Sequence, residues 1–343
     1  MRHHRHSLKH TLLLGLLIML LLWSQIWAGD YAADMLNIGV GARALAMGGA
    51  YTAMANEAGM AYWNPAGMAM EKRFGLQFEH VPMFSGLAQY NTMAVIYSFT
   101  PDMAIGLSWI RLGVDDIPRY GALQGSRYDR LVNNVNRSTG KADGTFGDQE
   151  NAVLLSFCQG LIFDVQVGDP FSPIVLPIQL SFGVTGKYFN QQLDTATGTG
   201  QGLDAGALLR LISNDFIQGD PSRWIGVGVA AHNLSSSDIV WDTASRHKDQ
   251  LARTLQVGVA ASYRLSRLRT RVTVSFDREL LDLQDSFYGG EVRFFDRLAL
   301  RGGYRFDHFS AGAGLYLMGF YLDYAFLTGE LDNTHRISAA YGF

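Results

Sequence analysis

Residues able to carry chemistry are few in this chain, and their spacing excludes most enzymes. Serine, histidine and aspartate are all present, but no G-x-S-x-G elbow, H-E-x-x-H pair or metal-ligand spacing occurs. An enzyme is therefore the weakest reading, and no cofactor or metal is expected. The single cysteine, Cys158, forbids an intrachain disulfide and any cysteine-based metal cluster. It follows the apolar run Val153–Phe157 and reads as a small packed residue rather than a nucleophile. Gly39-x-Gly41-x-x-Ala44 imitates a dinucleotide fingerprint, but no strand precedes it and no βαβ unit follows. What remains is charge: Arg43, alone in the Ala/Gly segment 39–55, and a set comprising Arg271, Asp277, Glu291, Arg293, Arg301, Arg305 and Asp323. Charges of both signs brought together away from water form ion pairs, so the question is which elements enclose them.

The composition narrows those elements. The chain has 343 residues, with 38 glycines, 12% aromatics and only 17% charged residues; a soluble domain carries about 25% charge. Lys plus Arg number 28 and Asp plus Glu 31, so no basic face offers itself to nucleic acid. Beyond residue 30 no apolar run approaches the ~18 residues of a spanning helix. At the start, Arg2, Arg5 and Lys9 precede the apolar run Leu12–Trp23, then Ser24-Gln25 and Ala28-Gly29. This order predicts a secretory signal peptide over 1–28, removed together with His3, His4, His6 and His10.

From Arg73 onward apolar and polar residues alternate with period 2, in fourteen pieces of about ten residues separated by Gly, Asp, Asn and Pro. In the last, His335, Ile337, Ala339, Tyr341 and Phe343 share one face, and Arg336, Ser338, Ala340 and Gly342 the other. A soluble sandwich and an outer-membrane barrel both alternate, but three features favour the barrel. The count is even, the pieces have the length of a tilted spanning strand, and the connections alternate between long and short. The long ones are read at 113–148, 190–201, 235–250 and 329–333. The short ones are read at Pro101, Ser266-Arg267, Asp296 and Met318, with 160–177 and 213–222 longer than the rule wants. The fold class expected is all-β: a transmembrane antiparallel barrel of about fourteen strands over 73–343, in the outer membrane and facing its lipid.

Residues 29–72 differ in kind, being rich in Ala, Gly and Met and holding the turn Asn64-Pro65. Small side chains at that density permit close backbone packing, so this segment is expected to be a helical plug inside the lumen.

The stretch Gly41-Ala-Arg43-Ala-Leu-Ala-Met47-Gly48-Gly49-Ala-Tyr-Thr-Ala, followed by Tyr62-Trp-Asn64-Pro65-Ala66-Gly67, resembles the N-terminal signature of the PorV/PorQ family. These outer-membrane proteins are associated with type IX secretion and related to the FadL fatty-acid transporters. Gly226-Val-Gly-Val-Ala-Ala-His-Asn233 and Leu298-Ala-Leu-Arg-Gly-Gly-Tyr304 agree, as do Leu322-Asp-Tyr-Ala-Phe326 and Thr334-His-Arg-Ile-Ser338. The resemblance implies a fourteen-strand barrel with a plugged or gated lumen. It implies as partners a secretion translocon and the C-terminal domains of secreted proteins. The terminal aromatics Tyr341 and Phe343 resemble the signal by which the barrel assembly machinery recognises its precursors.

Two function classes follow: an accessory barrel of a type IX-like secretion system, or a FadL-like channel for hydrophobic small molecules. The second would show a continuous apolar pocket bordering the plug. Alternation places the set from Arg271 to Asp323 on the lumen wall; a hairpin about Asp296 sets Glu291 opposite Arg301, or Arg293 opposite Arg301 if the register slips by two, and the attractive first pairing is expected over the repulsive second. There the charges would brace the wall, hold the plug or block leakage.

Overall fold

The structure, a computed structural model, describes residues 34–54, 57–70, 74–100, 102–132, 140–168, 174–212, 223–235, 238–281, 284–329 and 332–342. The signal segment and Phe343 lie outside these residues. Sixteen strands form one antiparallel sheet, and fourteen of them close a barrel. In chain order the barrel strands are β1 (Phe74–Met83), β2 (Ala88–Thr100), β3 (Met103–Arg119), β4 (Gly144–Val167), β5 (Ile174–Leu193), β6 (Ala196–Ile212) and β7 (Trp224–His232). After the loop hairpin β8 (Asp238–Trp241) and β9 (Lys248–Gln250) come β10 (Thr254–Leu265), β11 (Thr270–Glu279), β12 (Ser286–Phe294), β13 (Leu298–Arg305), β14 (His308–Leu317), β15 (Phe320–Leu327) and β16 (Thr334–Gly342). Barrel strands adjacent in sequence pair throughout, β7 with β10 across the loop hairpin, and β16 pairs with β1 to close the ring. No edge strand of the ring is left with unpaired backbone groups, the condition a spanning sheet must meet.

Period-2 alternation becomes two surfaces. Leu107, Leu155, Ile225, Val274, Leu300, Leu322 and Ile337 are exposed around the outside, and Gln77, Glu79, Thr185, Asp277, Glu291, Asp323 and Arg336 are buried inside. An apolar belt outside and polar residues inside is the polarity of a transmembrane barrel of the outer-membrane type. Among the described residues no helix is long and apolar enough to cross a membrane.

The wall is uneven. β4 has 24 residues and β5 20, whereas β13 and β15 have 8 each. Three expected connections are shorter than their composition suggests, the one at 113–148 because β3 and β4 pair as far as Arg119 and Gly144. The Thr/Gly-rich stretch read as a long loop at 190–201 is strand on both sides of a tight turn at Asp194-Thr195, because every residue from Ala196 pairs with β5. Likewise β4 and β5 consume most of 160–177 by pairing with each other as far as Val167 and Ile174. Cross-strand pairing overrides weak strand propensity here.

Residues 34–54 and 57–70 fill the lumen. They form two short helices, Ala42–Ala46 and Met60–Trp63, between 3₁₀ turns at Asp34–Leu36 and Pro65–Met70. Gly48 has φ +66, and a Cβ there would lie 2.7 Å from the carbonyl oxygen of Tyr288 and the amide nitrogen of Tyr304. Only glycine allows the chain to turn that close to the wall.

Candidate functional site

Each end of the plug meets the wall differently. The first part, up to Thr52, is held by side chains of β1, β11, β12, β14 and β16. Arg43 is the centre of this contact: its Nε and Nη2 donate to the two oxygens of Glu291 at 2.8 and 3.0 Å, and its Nη1 lies 3.0 Å from Glu57 Oε1. Glu291 also takes Arg293 Nη2 at 2.9 Å and Arg301 Nε at 2.8 Å, so one carboxylate serves three guanidiniums. Arg301 reaches onward to Asp323 at 2.8 Å and donates to the Tyr316 hydroxyl. Glu291 and Arg301 are direct partners in the β12–β13 register, the attractive one of the two pairings open to that hairpin.

The remaining anchors are bonds to plug backbone. Asp277 accepts from the amides of Tyr51 and Thr52 at 2.8 and 2.7 Å. Glu79 accepts from the Gly41 amide at 3.0 Å, and Ser310 from that of Gly48 at 3.1 Å. Arg336 donates to the carbonyls of Gly39 and Ile38, each at 3.1 Å. These bonds satisfy backbone donors and acceptors on either side of the five-residue helix Ala42–Ala46, away from bulk water.

The second part of the plug sits on the tall wall with small residues and neutral bonds. Asn64 has the extended backbone that precedes a proline, φ −158 and ψ 106. Its Nδ2 donates to Thr52 O at 2.7 Å and Ala207 O at 3.3 Å, while its Oδ1 accepts from the Ala66 amide at 3.0 Å. Ala66 O takes the Ser181 hydroxyl at 2.7 Å, and the buried Cys158 thiol points at the same oxygen from 3.3 Å. Gly67 N closes the turn onto Asn64 O at 2.9 Å. Met47 is fully buried in the central core, and Gly49 backs onto the Trp63 ring.

The charges read as one lumen cluster divide into separate groups. Glu291, Arg293, Arg301 and Asp323 join Arg43 in the hub. Asp277 stands apart as a cap on plug backbone. Arg271 is at the turn end of the lumen, 3.5 Å from Asp296. Arg305 is not in the hub either: its guanidinium lies 4.8 Å from the Phe287 ring and 4.4 Å from the Phe306 ring. A strand face fixes the side of the wall but not the depth or the partner, which is why these three separate from the rest. Glu57, Glu79 and Arg336 belong to the anchoring set without having been singled out in the sequence; the inward faces of β1 and β16 signalled Glu79 and Arg336, and no local pattern signalled Glu57. A second buried group, Lys187 Nζ 2.7 Å and His232 Nδ1 3.1 Å from Asp204, braces β5, β6 and β7 and does not touch the hub. Tyr341 faces outward at the turn end, its ring 4.6 Å from that of Phe320.

Two cavities flank the plug. At the turn end about 270 Å³ is bounded by Arg43, Glu57, Arg271, Glu291, Arg293 and Asp323. Toward the loop end about 340 Å³ lies between Ile38 and Leu45 of the plug and Phe306, Phe309 and Leu327 of the wall, with Arg305 at its margin.

Among solved structures, the chain is similar to the Pseudomonas putida toluene transporter TodX, at 12% identity and TM-score 0.47, covering 89% of this chain and 99% of that one. It is similar to the monoaromatic hydrocarbon channel CymD at 13% identity and TM-score 0.43, over 89% and 98% of the two chains. A Pseudomonas aeruginosa FadL homologue follows at 12% identity and TM-score 0.34, over 93% and 99%. No protein-family model and no curated protein matches the sequence. The chain is a plugged transmembrane barrel.

Proposed function

We propose that this barrel takes a small hydrophobic molecule into its loop-end cavity, as a channel or carrier across the outer membrane. The observation that carries this reading is the cavity itself. It is concave and mostly apolar, borders the plug, and lies within the usual size range of small-molecule sites. It also lies where the wall is lowest, under the 306–307 turn between β13 and β14, and Phe309 beside it faces outward and is 67% exposed. A molecule dissolved in the outer leaflet therefore meets an apolar path over a short wall.

Titration of the purified barrel in neutral-lipid vesicles with the apolar probe phenylnaphthylamine tests the reading. Saturable binding that weakens at least about tenfold in Leu327→Trp, which fills the cavity from the wall, supports it. Equal binding by both proteins rejects it.

The second reading, an accessory barrel of a type IX-like secretion system, draws support from the plug's PorV/PorQ-like motif. It is also supported by Arg43, Tyr51 and Trp63 standing buried between the two cavities, since a docking partner needs no passage. Co-purification with C-terminal domains of secreted proteins from the same organism tests it.

A further inference from the structure

The turn-end cavity sets three arginines, Arg43, Arg271 and Arg293, against three carboxylates, Glu57, Glu291 and Asp323, but the carboxylates are shared unevenly among them. Arg264, Arg271 and Arg293 are direct cross-strand partners on β10, β11 and β12, so three guanidinium side chains stand in one row across the lumen mouth. Like charges directly opposite each other in a sheet are destabilising. The carboxylates nearby are already shared. Asp296 lies 3.0 Å from Arg264 and 3.5 Å from Arg271. Glu291, beside Arg293, is the hub that also serves Arg43 and Arg301. Among the described residues, Arg271 Nε and Arg293 Nε are buried and have no hydrogen-bond partner. Both arginines line the 270 Å³ cavity, whose other walls include Trp224, Thr273 and Tyr321.

A buried N–H without an acceptor is costly, and guanidinium groups side by side present the fork that a carboxylate or phosphate accepts in pairs. The geometry points to an oxyanion site at the periplasmic mouth of the lumen: Arg271 and Arg293 bind the carboxylate or phosphate group of a small amphiphile whose body rests on the Trp224 and Tyr321 rings. This site is independent of the loop-end cavity and of what that cavity takes. The periplasmic end is assigned from the chain's own asymmetry, because the tight turns at 266–269, 295–297 and 318–319 lie there and the long loops lie opposite.

The test is calorimetric titration of the full mature chain, in neutral detergent, with benzoate, inorganic phosphate and a short-chain phosphatidic acid. Saturable binding of at least one oxyanion is expected, weakened tenfold or more in the double variant Arg271→Gln, Arg293→Gln. Binding by benzoate or phosphate alone places the ligand among soluble anions. Binding only by phosphatidic acid places it among membrane lipids. Undiminished binding in the double variant, or no saturable binding of any of the three to the native chain, overturns the proposal. If the double variant does not fold, phenylglyoxal modification of the native barrel decides instead. Protection of Arg271 and Arg293 by the bound anion upholds the site, and equal modification with and without anion removes it.

Discussion

The two parts of the plug are held by different physics. Residues up to Thr52 lean on the low wall and are fixed by charge: Arg43 on Glu291, and plug amides on Asp277 and Glu79. Residues from Met60 onward lean on the tall wall and are fixed by close fit and neutral bonds, with Asn64 and Ala66 against β4, β5 and β6. The tall wall has backbone to spare, so the chain can pack against it as one layer packs on another. The low wall offers few residues; besides close contacts at Gly303, Gly312 and Ala325, it holds the plug through charged side chains. A plug built this way resists the two kinds of substitution unequally.

The largest effect is expected at the hub. Glu291→Gln leaves Arg43, Arg293 and Arg301 around a neutral amide, and removal of one partner from a buried ion network costs about 3–5 kcal/mol. The unfolding midpoint of the heat-modifiable band on gels should fall clearly; a change under ~1 kcal/mol would mean that charge does not fix this end.

Next comes fit on the tall wall. A Cβ on Gly183 would sit 2.3 Å from the Pro65 carbonyl carbon, where backbone faces backbone and neither can swing away. Gly183→Val should destabilise by about 1–3 kcal/mol in the same assay. A neutral result would show that the second part of the plug can lift off its wall without loss.

Asn64→Ala removes an acceptor from the Ala66 amide and a donor from two carbonyls, for about 1–3 kcal/mol. Here protection of the Ala66 and Gly67 amides against hydrogen exchange is the more local readout, and it should drop while the Arg43 end stays protected. Simultaneous loss at both ends would mean the plug is one cooperative unit and the division drawn above is wrong.

The smallest effect separates two arginines on one strand face. Arg301 belongs to the hub and Arg305 stacks between aromatic rings outside it. Arg301→Ala should raise small-solute permeability of proteoliposomes modestly, and Arg305→Ala should leave it unchanged. Equal leakage from both variants would detach permeability from the hub.

Much of this architecture was legible residue by residue. Alternation assigned the lumen face of Glu291 and Arg301, and the sign of their charges selected the register in which they pair. The Thr/Gly run after Asp194 was not legible as strand, because its hydrogen bonds come from β5 rather than from any local preference. Nor could any local pattern show that Glu57, 14 residues from Arg43, shares its guanidinium with a carboxylate 248 residues away.

What the sequence alone determined is therefore one-dimensional: strand periodicity, which face of each strand is polar, and a small-residue segment able to lie against other backbone. These follow from side chains alternating every two residues and from the absence of bulk at glycine and alanine. Tertiary closure decided the rest. Bending fourteen strands into a ring sets the depth of each inward residue and makes distant strands face one another across the plug. Only then does Glu291 become the shared partner of three arginines, while Arg271 and Arg293 are left with buried N–H groups at the mouth. Ion pairing depends on separations of a few ångströms, and along a strand face those separations are undefined until the ring is closed.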